Sequence, residues 1–188
     1  MAKKKAKKKQ SKLSVYLLFG AIVSAVLVLV GLFLSNIDVL NLKGEVGSSF
    51  TGLQLAFGAE LANLDLGVIV TSVGKLTFNI LITLAFVLPI IATVLALFVG
   101  KSKMLSVVLG LVCTAVFVFS LIVIIKSGSI ATVKVTTDSI LGSTESTNKL
   151  VEYIGVDNMK MGIGAIISVI GAGLGAVCSL GNVVSKAL

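Results

Sequence analysis

Apolar residues run almost without interruption through four stretches of this chain, residues 13–35, 77–99, 104–125 and 161–183, and none of them holds a charged side chain. Crossing about 30 Å of hydrocarbon takes about 20 helical residues, so each stretch predicts one transmembrane helix. The runs are apolar all round rather than along one stripe, as expected where lipid surrounds a bundle. A single run of this kind has a second reading as a buried helix of a soluble protein. Four of them within 188 residues do not.

The two longer intervening segments, 36–76 and 126–160, carry a different period. Leu40 and Leu42 alternate with Asn41 and Lys43, Leu53, Leu55 and Phe57 with Gly52, Gln54 and Ala56, and a third set comprises Leu64, Leu66, Val68 and Val70. Gly44, Gly47, Gly58 and Asn63 punctuate these sets. This pattern predicts about three half-buried strands forming a small antiparallel sheet. In the second segment, residues 129–137 are rich in β-branched residues and predict one more strand. Residues 145–154 predict a short helix, with Leu150, Val151 and Ile154 on one face and Glu145 and Lys149 at i,i+4 spacing, and Asp157 or Asn158 as the cap of the last span. The expected fold is therefore an all-α transmembrane four-helix bundle with a small extracytoplasmic β-sheet cap from the two outer loops.

In layout this is similar to the claudin-like four-helix proteins. Their first-loop signature pairs a Gly-Leu-Trp with two cysteines, whereas this chain has Gly52-Leu53-Gln54 and no loop cysteine. The resemblance thus implies an architecture and no residue roles.

Charge sets the expected orientation. All eight acids lie within 36–75 and 126–160, while ten of the sixteen lysines lie elsewhere. Lys3, Lys4, Lys5, Lys7, Lys8, Lys9 and Lys12 precede the first span, Lys101 and Lys103 occupy the turn at 100–103, and Lys186 lies in the tail at 184–188. Lysine beside span ends marks the cytoplasmic side, which places both termini inside and both long loops outside. The tail at 1–12 reads as a solvated, disordered topology determinant or as a sensor of anionic lipid headgroups, worth about 1 kcal/mol per lysine near such a surface. The first span exceeds a cleavable signal sequence in length and lacks a small-x-small site, so an uncleaved anchor is expected. Composition agrees, at 56% hydrophobic, 13% charged and mean hydropathy +1.12. The net charge of +8 points to lipid headgroups rather than nucleic acid, because seven lysines cluster beside a membrane helix. A cation set made only of lysine suggests a bacterial source.

Little in the sequence carries chemistry. The chain has no His, Arg or Trp, and no span contains an ionisable Asp, Glu or Lys. The usual general base, the commonest metal ligand and intramembrane proton relays are therefore missing. Cys113 and Cys178 fall inside spans and read as small packing residues, with no ligands for a metal or cofactor nearby. No enzyme is expected. The strongest intramembrane pattern is a stripe of small residues, Gly164, Ser168, Gly171, Gly175 and Cys178, matched in the third span by Ser106, Gly110 and Cys113. Such stripes let helices approach closely, so the third and fourth spans are expected to pack together, with a homodimer face as the competing reading. Pro89 interrupts the second span as a hinge or a static bend, and Asn79 and Thr83 line a polar path or bond to another helix. The expected function is a non-enzymatic protein of the plasma membrane whose outer loops bind a membrane or envelope protein, self included. The alternatives are a small channel or accessory transporter subunit and, more remotely, a membrane-bound enzyme or lipid-handling factor.

Overall fold

The computed structural model describes residues 2–40, 43–61, 72–97, 103–139 and 142–187. It is mostly helical, with two small sheets. Helix α1 (Ala2–Phe33) leads into strands β1 (Ser35–Leu40) and β2 (Val46–Thr51), a short helix α2 (Gly52–Phe57) and strand β3 (Ser72–Leu76). Helix α3 (Ile80–Leu97) and helix α4 (Lys103–Ile125) follow, then a helical turn α5 (Ser127–Ile130). Strands β4 (Thr132–Ser139) and β5 (Gly142–Lys149), helix α6 (Leu150–Ile154), a 3-10 turn (Val156–Asn158) and strand β6 (Met159–Met161) lead into the last helix, α7 (Ile163–Ala187).

Among the described residues, three helices are long and apolar enough to cross a membrane, over Val15–Phe33, Val107–Ile125 and Ile163–Ser185, which supports a membrane-embedded protein. Three such helices fit the expected four spans less well. The run at 77–99 becomes a helix only from Ile80, because Asn79 caps it, its Oδ1 accepting from the backbone N–H of Leu81 and of Ile82. Its described apolar part, Ile80–Val94, is shorter than the other three. α3 runs on through Pro89, which is buried, and the Thr93 hydroxyl donates to the Pro89 carbonyl at 2.8 Å.

α7 is the axis of the helical part, packing on α1 along one side and on α4 along another, with α3 against α4 and α1. The α1 contact is close. A Cβ added at Gly171 would lie 2.9 Å from the Ser24 carbonyl oxygen and 2.8 Å from Leu27 Cβ, and one at Gly164 would lie 2.7 Å from the Gly31 carbonyl oxygen. Ser168 donates to the Val28 carbonyl at 3.4 Å across the same seam. Small residues bring two backbones together where lipid tails supply no hydrophobic drive for association. The α4 contact is different: the ring of Phe117 fills the space over Gly175, and Val183 fills that over Gly110. Away from these contacts the helices present Phe19, Val26, Leu111, Val118, Ile170 and Val177 outward.

Several local expectations need correction. The lysine run is not a disordered tail, since α1 is helical from Ala2. Leu53–Phe57 is helix rather than strand, because Thr51 and Gln54 form a capping box: Thr51 Oγ1 accepts from Gln54 N and Gln54 Oε1 accepts from Thr51 N. The helix expected at 145–154 begins only at Leu150, and Glu145 lies in β5, where it pairs across the hairpin with Lys134 at 2.5 Å and not with Lys149 along a helix. Neither Asp157 nor Asn158 caps α7. Both lie in the 3-10 turn, where Asn158 Nδ2 donates to the Ile154 carbonyl, and β6 intervenes. The strand expected at 64–70, residues 41–42 and Lys101 lie outside the described residues.

Candidate functional site

The six strands of the described residues, with α2, α5 and α6, gather at one end of the helices, where α1 and α4 finish and α3 and α7 begin. This head contains two three-stranded antiparallel sheets, ordered β2-β1-β6 and β3-β4-β5. Each sheet mixes strands from both long loops: β6 comes from the second and pairs with β1 of the first, and β3 comes from the first and pairs with β4 of the second. The loops are thus parts of a single folded body. Its core is apolar, with Ile37, Val39, Phe50, Leu55, Leu76, Val133 and Leu150 all buried. Water is available to a head of this kind, so burial of large side chains supplies its cohesion.

Polar side chains fasten the head to the helices. Asn36 is 2% exposed and donates to the carbonyls of Gly31 at 2.7 Å and Leu34 at 3.0 Å, answering the orphan carbonyls at the end of α1. Asn79 caps α3 and reaches across to the Ile130 carbonyl at 2.8 Å, while the Thr83 hydroxyl lies 2.9 Å from the Asn79 carbonyl and 3.4 Å from the Ala56 carbonyl of α2, donating to both. These two side chains therefore join α3 to the head rather than line a path. The hydroxyls of Thr77 and Thr132 lie 2.5 Å apart where β3 meets β4. Among the described residues, no buried side-chain nitrogen or oxygen lacks a hydrogen-bond partner.

An open cleft of about 210 Å³ lies between the end of α4 and the first sheet, bordered by Ile37, Ile124, Ser127, Val151, Met159 and Met161. Among the described residues, no three His, Cys, Asp or Glu side chains stand together as metal ligands would. Within the helices, Ser24, Thr93, Thr114 and Ser120 each donate to a carbonyl one turn back in the same helix, so their hydroxyls are used locally. Cys113 points to the Ala92 carbonyl on α3, whereas Cys178 lies beside Gly20 of α1, and both are free thiols on separate contacts.

The edges of the two sheets differ in a way that bears on recognition. The β1–β2 pair shifts register twice, with Asn36 as the extra residue on β1 and Gly47 as the extra residue on β2, and β6 is three residues long. The outer edge of β3 is occupied by residues 59–61, through Leu61 N to the Gly74 carbonyl and Leu76 N to the Ala59 carbonyl, both at 2.7 Å. β5 is eight residues long, pairs with β4 without a register shift, and has no strand on its other side among the described residues. Its residues Glu145 to Lys149 are all exposed. The alternation of the sequence placed no strand here. The signal available was the run Ser143-Thr144-Glu145-Ser146-Thr147, which is poor in helix formers.

Comparison of the chain with protein-family models, with curated proteins and with solved structures finds no match.

Proposed function

We propose that this chain is a non-enzymatic, four-pass protein of the bacterial plasma membrane whose head forms an extracytoplasmic cap that binds a protein partner. The observation that carries the reading is the interleaving of the two long loops into two shared sheets. Connecting loops have no need of a common apolar core, whereas a recognition surface needs a scaffold that holds it still. α3 serves as the fourth span in this reading. Its 18 residues extend about 27 Å, close to the thickness of a hydrocarbon core. It also packs on α4 and α1, which completes a four-helix bundle. Orientation rests on lysine, with Lys3 to Lys12, Lys101 and Lys103 on the inner side beside anionic headgroups and every acid in the cap segments.

A channel or transporter subunit receives less support, because the hydroxyls of Ser24, Thr93, Thr114 and Ser120 are bonded within their own helices, that of Ser168 bonds to α1, and Pro89 is packed rather than free. The test is topological and functional together. Val156, 71% exposed in the 3-10 turn, is replaced by Cys in a chain whose two native cysteines are Ala. Labelling by an impermeant maleimide in intact cells is the expected result. Labelling only after the cells are opened would reverse the orientation. Proteins cross-linked to the cap in intact cells should then disappear when its core is disrupted by Leu150→Ala, and an unchanged set would sink the interaction reading.

A further inference from the structure

We infer that the partner of the cap includes a second copy of this chain, joined edge to edge through β5 about a two-fold axis at Thr147. The inference rests on the interaction reading above and names its occupant.

Three of the four sheet edges are blunted by devices that oppose strand addition: a bulge on β2, three residues of length in β6, and covering backbone along β3. Among the described residues β5 has none of these. It carries no proline, keeps one register with β4 over its whole length and ends in the exposed residues Glu145-Ser146-Thr147-Asn148-Lys149. Up to Asn148 an edge of this kind presents unpaired backbone N–H and C=O groups, ready for another extended strand; at its end the Lys149 N–H donates to the exposed Glu152 carboxylate at 3.4 Å and would exchange that bond for the new ladder.

The sequence of the edge identifies the strand that fits. In an antiparallel pair centred on Thr147, Glu145 stands directly opposite Lys149 of the second copy, and Lys149 opposite Glu145 of the second copy. Ser146 stands opposite Asn148, and Thr147 opposite itself. The segment is therefore its own complement in charge and in hydrogen-bonding side chains. Moving the register by one residue in either direction removes both charge pairs. Opposite charges and Thr–Thr or Ser pairs at directly opposed positions stabilise a ladder, and like charges there oppose it. Glu145, Thr147 and Lys149 share one face of β5, the face that also carries Lys134, so the existing Lys134–Glu145 pair of one copy and the Lys149–Glu152 pair of the other, 3.8 Å apart, would join into a four-charge row on each side of the axis. The contact is short, about five residues per copy, but confinement of both chains to one membrane raises their effective concentration.

The experiment uses the full chain in native membranes, with Cys113 and Cys178 replaced by Ala. Thr147→Cys should be captured as a dimer by a short thiol cross-linker, because a residue on the axis faces its own copy at about 5 Å between Cβ atoms. Ser49→Cys, exposed on the bulged β2, should not. Glu145→Lys alone and Lys149→Glu alone should each lower dimer affinity about tenfold, since two repulsions replace two attractions. Co-expressed E145K and K149E copies carry opposite signs at both intermolecular pairs and should recover a mixed dimer that neither variant forms with itself, an outcome that damage to the fold would not produce. Capture of T147C no greater than that of S49C, or no mixed dimer, overturns the self-pairing. If an unlike protein still binds the cap in that case, the interaction reading stands without it; if none does, both fall.

Discussion

The helical part and the head of this molecule hold together by opposite means. Between α1 and α7 the contact is made by what is missing: Gly31, Gly164, Gly171, Ser24 and Ser168 leave the backbones in near contact. In the head the contact is made by bulk, with Leu55, Leu76, Val133 and Leu150 at 1% exposure or less. The difference follows from the solvent. Lipid tails are as apolar as leucine, so helices gain by close packing and interhelical bonds, whereas large apolar side chains gain by leaving water. The α4–α7 contact combines both, with the Phe117 ring set over Gly175.

Substitutions that break this contrast should act in opposite directions on size. The largest effect is expected from truncation in the head: Leu150→Ala removes a fully buried side chain and should cost about 3 kcal/mol, read as a lower urea midpoint for the head amides in hydrogen exchange. In the seam the damaging change is enlargement. Gly171→Val would meet Ser24 and Leu27 and should cost about 2 kcal/mol, read as a lower melting temperature in detergent with the head core intact. Thr51→Ala removes the capping box of α2 and should cost about 1 kcal/mol, confined to protection of residues 52–57. Least of all, Glu145→Gln breaks an ion pair whose side chains are 47% and 56% exposed, and should move monomer stability by under about 0.5 kcal/mol. A seam that tolerated Gly171→Val while Leu150→Ala left the head unchanged would remove the contrast altogether.

How legible these parts were in the sequence follows the same division. Long apolar runs located α1, α4 and α7, because length and hydropathy suffice for a span. The start of α3 depended on Asn79, a single residue whose capping outweighed three residues of apolar continuity. The stripe on α7 was visible, but its main counterpart, Gly20, Ser24 and Gly31 on α1, lies on one helical face with Leu27 in place of a fourth small residue, and identifies the partner helix more directly than the third span does. In the head, period two misled at Leu53–Phe57, where Thr51 and Gln54 already spelled a capping box. Glu145 and Lys149 at i,i+4 suggested helix, yet the β-prone Thr132–Ser139 strand offered Glu145 a cross-strand lysine instead. A sheet cap drawn from both loops was expected, but its division into two sheets was not readable, because pairing between residues as far apart as Leu76 and Val133 or Ile37 and Met161 leaves no local trace.

One join has a mechanical consequence. α1 passes into β1 and β6 into α7 with almost no intervening chain, and Gly162 N donates to the Asn36 carbonyl at 3.0 Å between them. The closest helix pair and its continuing strand pair thus form one stiff double column from head to membrane. A pull or twist on the first sheet has no slack linker to absorb it, so it would arrive between α1 and α7 as torque, making that column the lever through which any load on the head is felt within the bilayer.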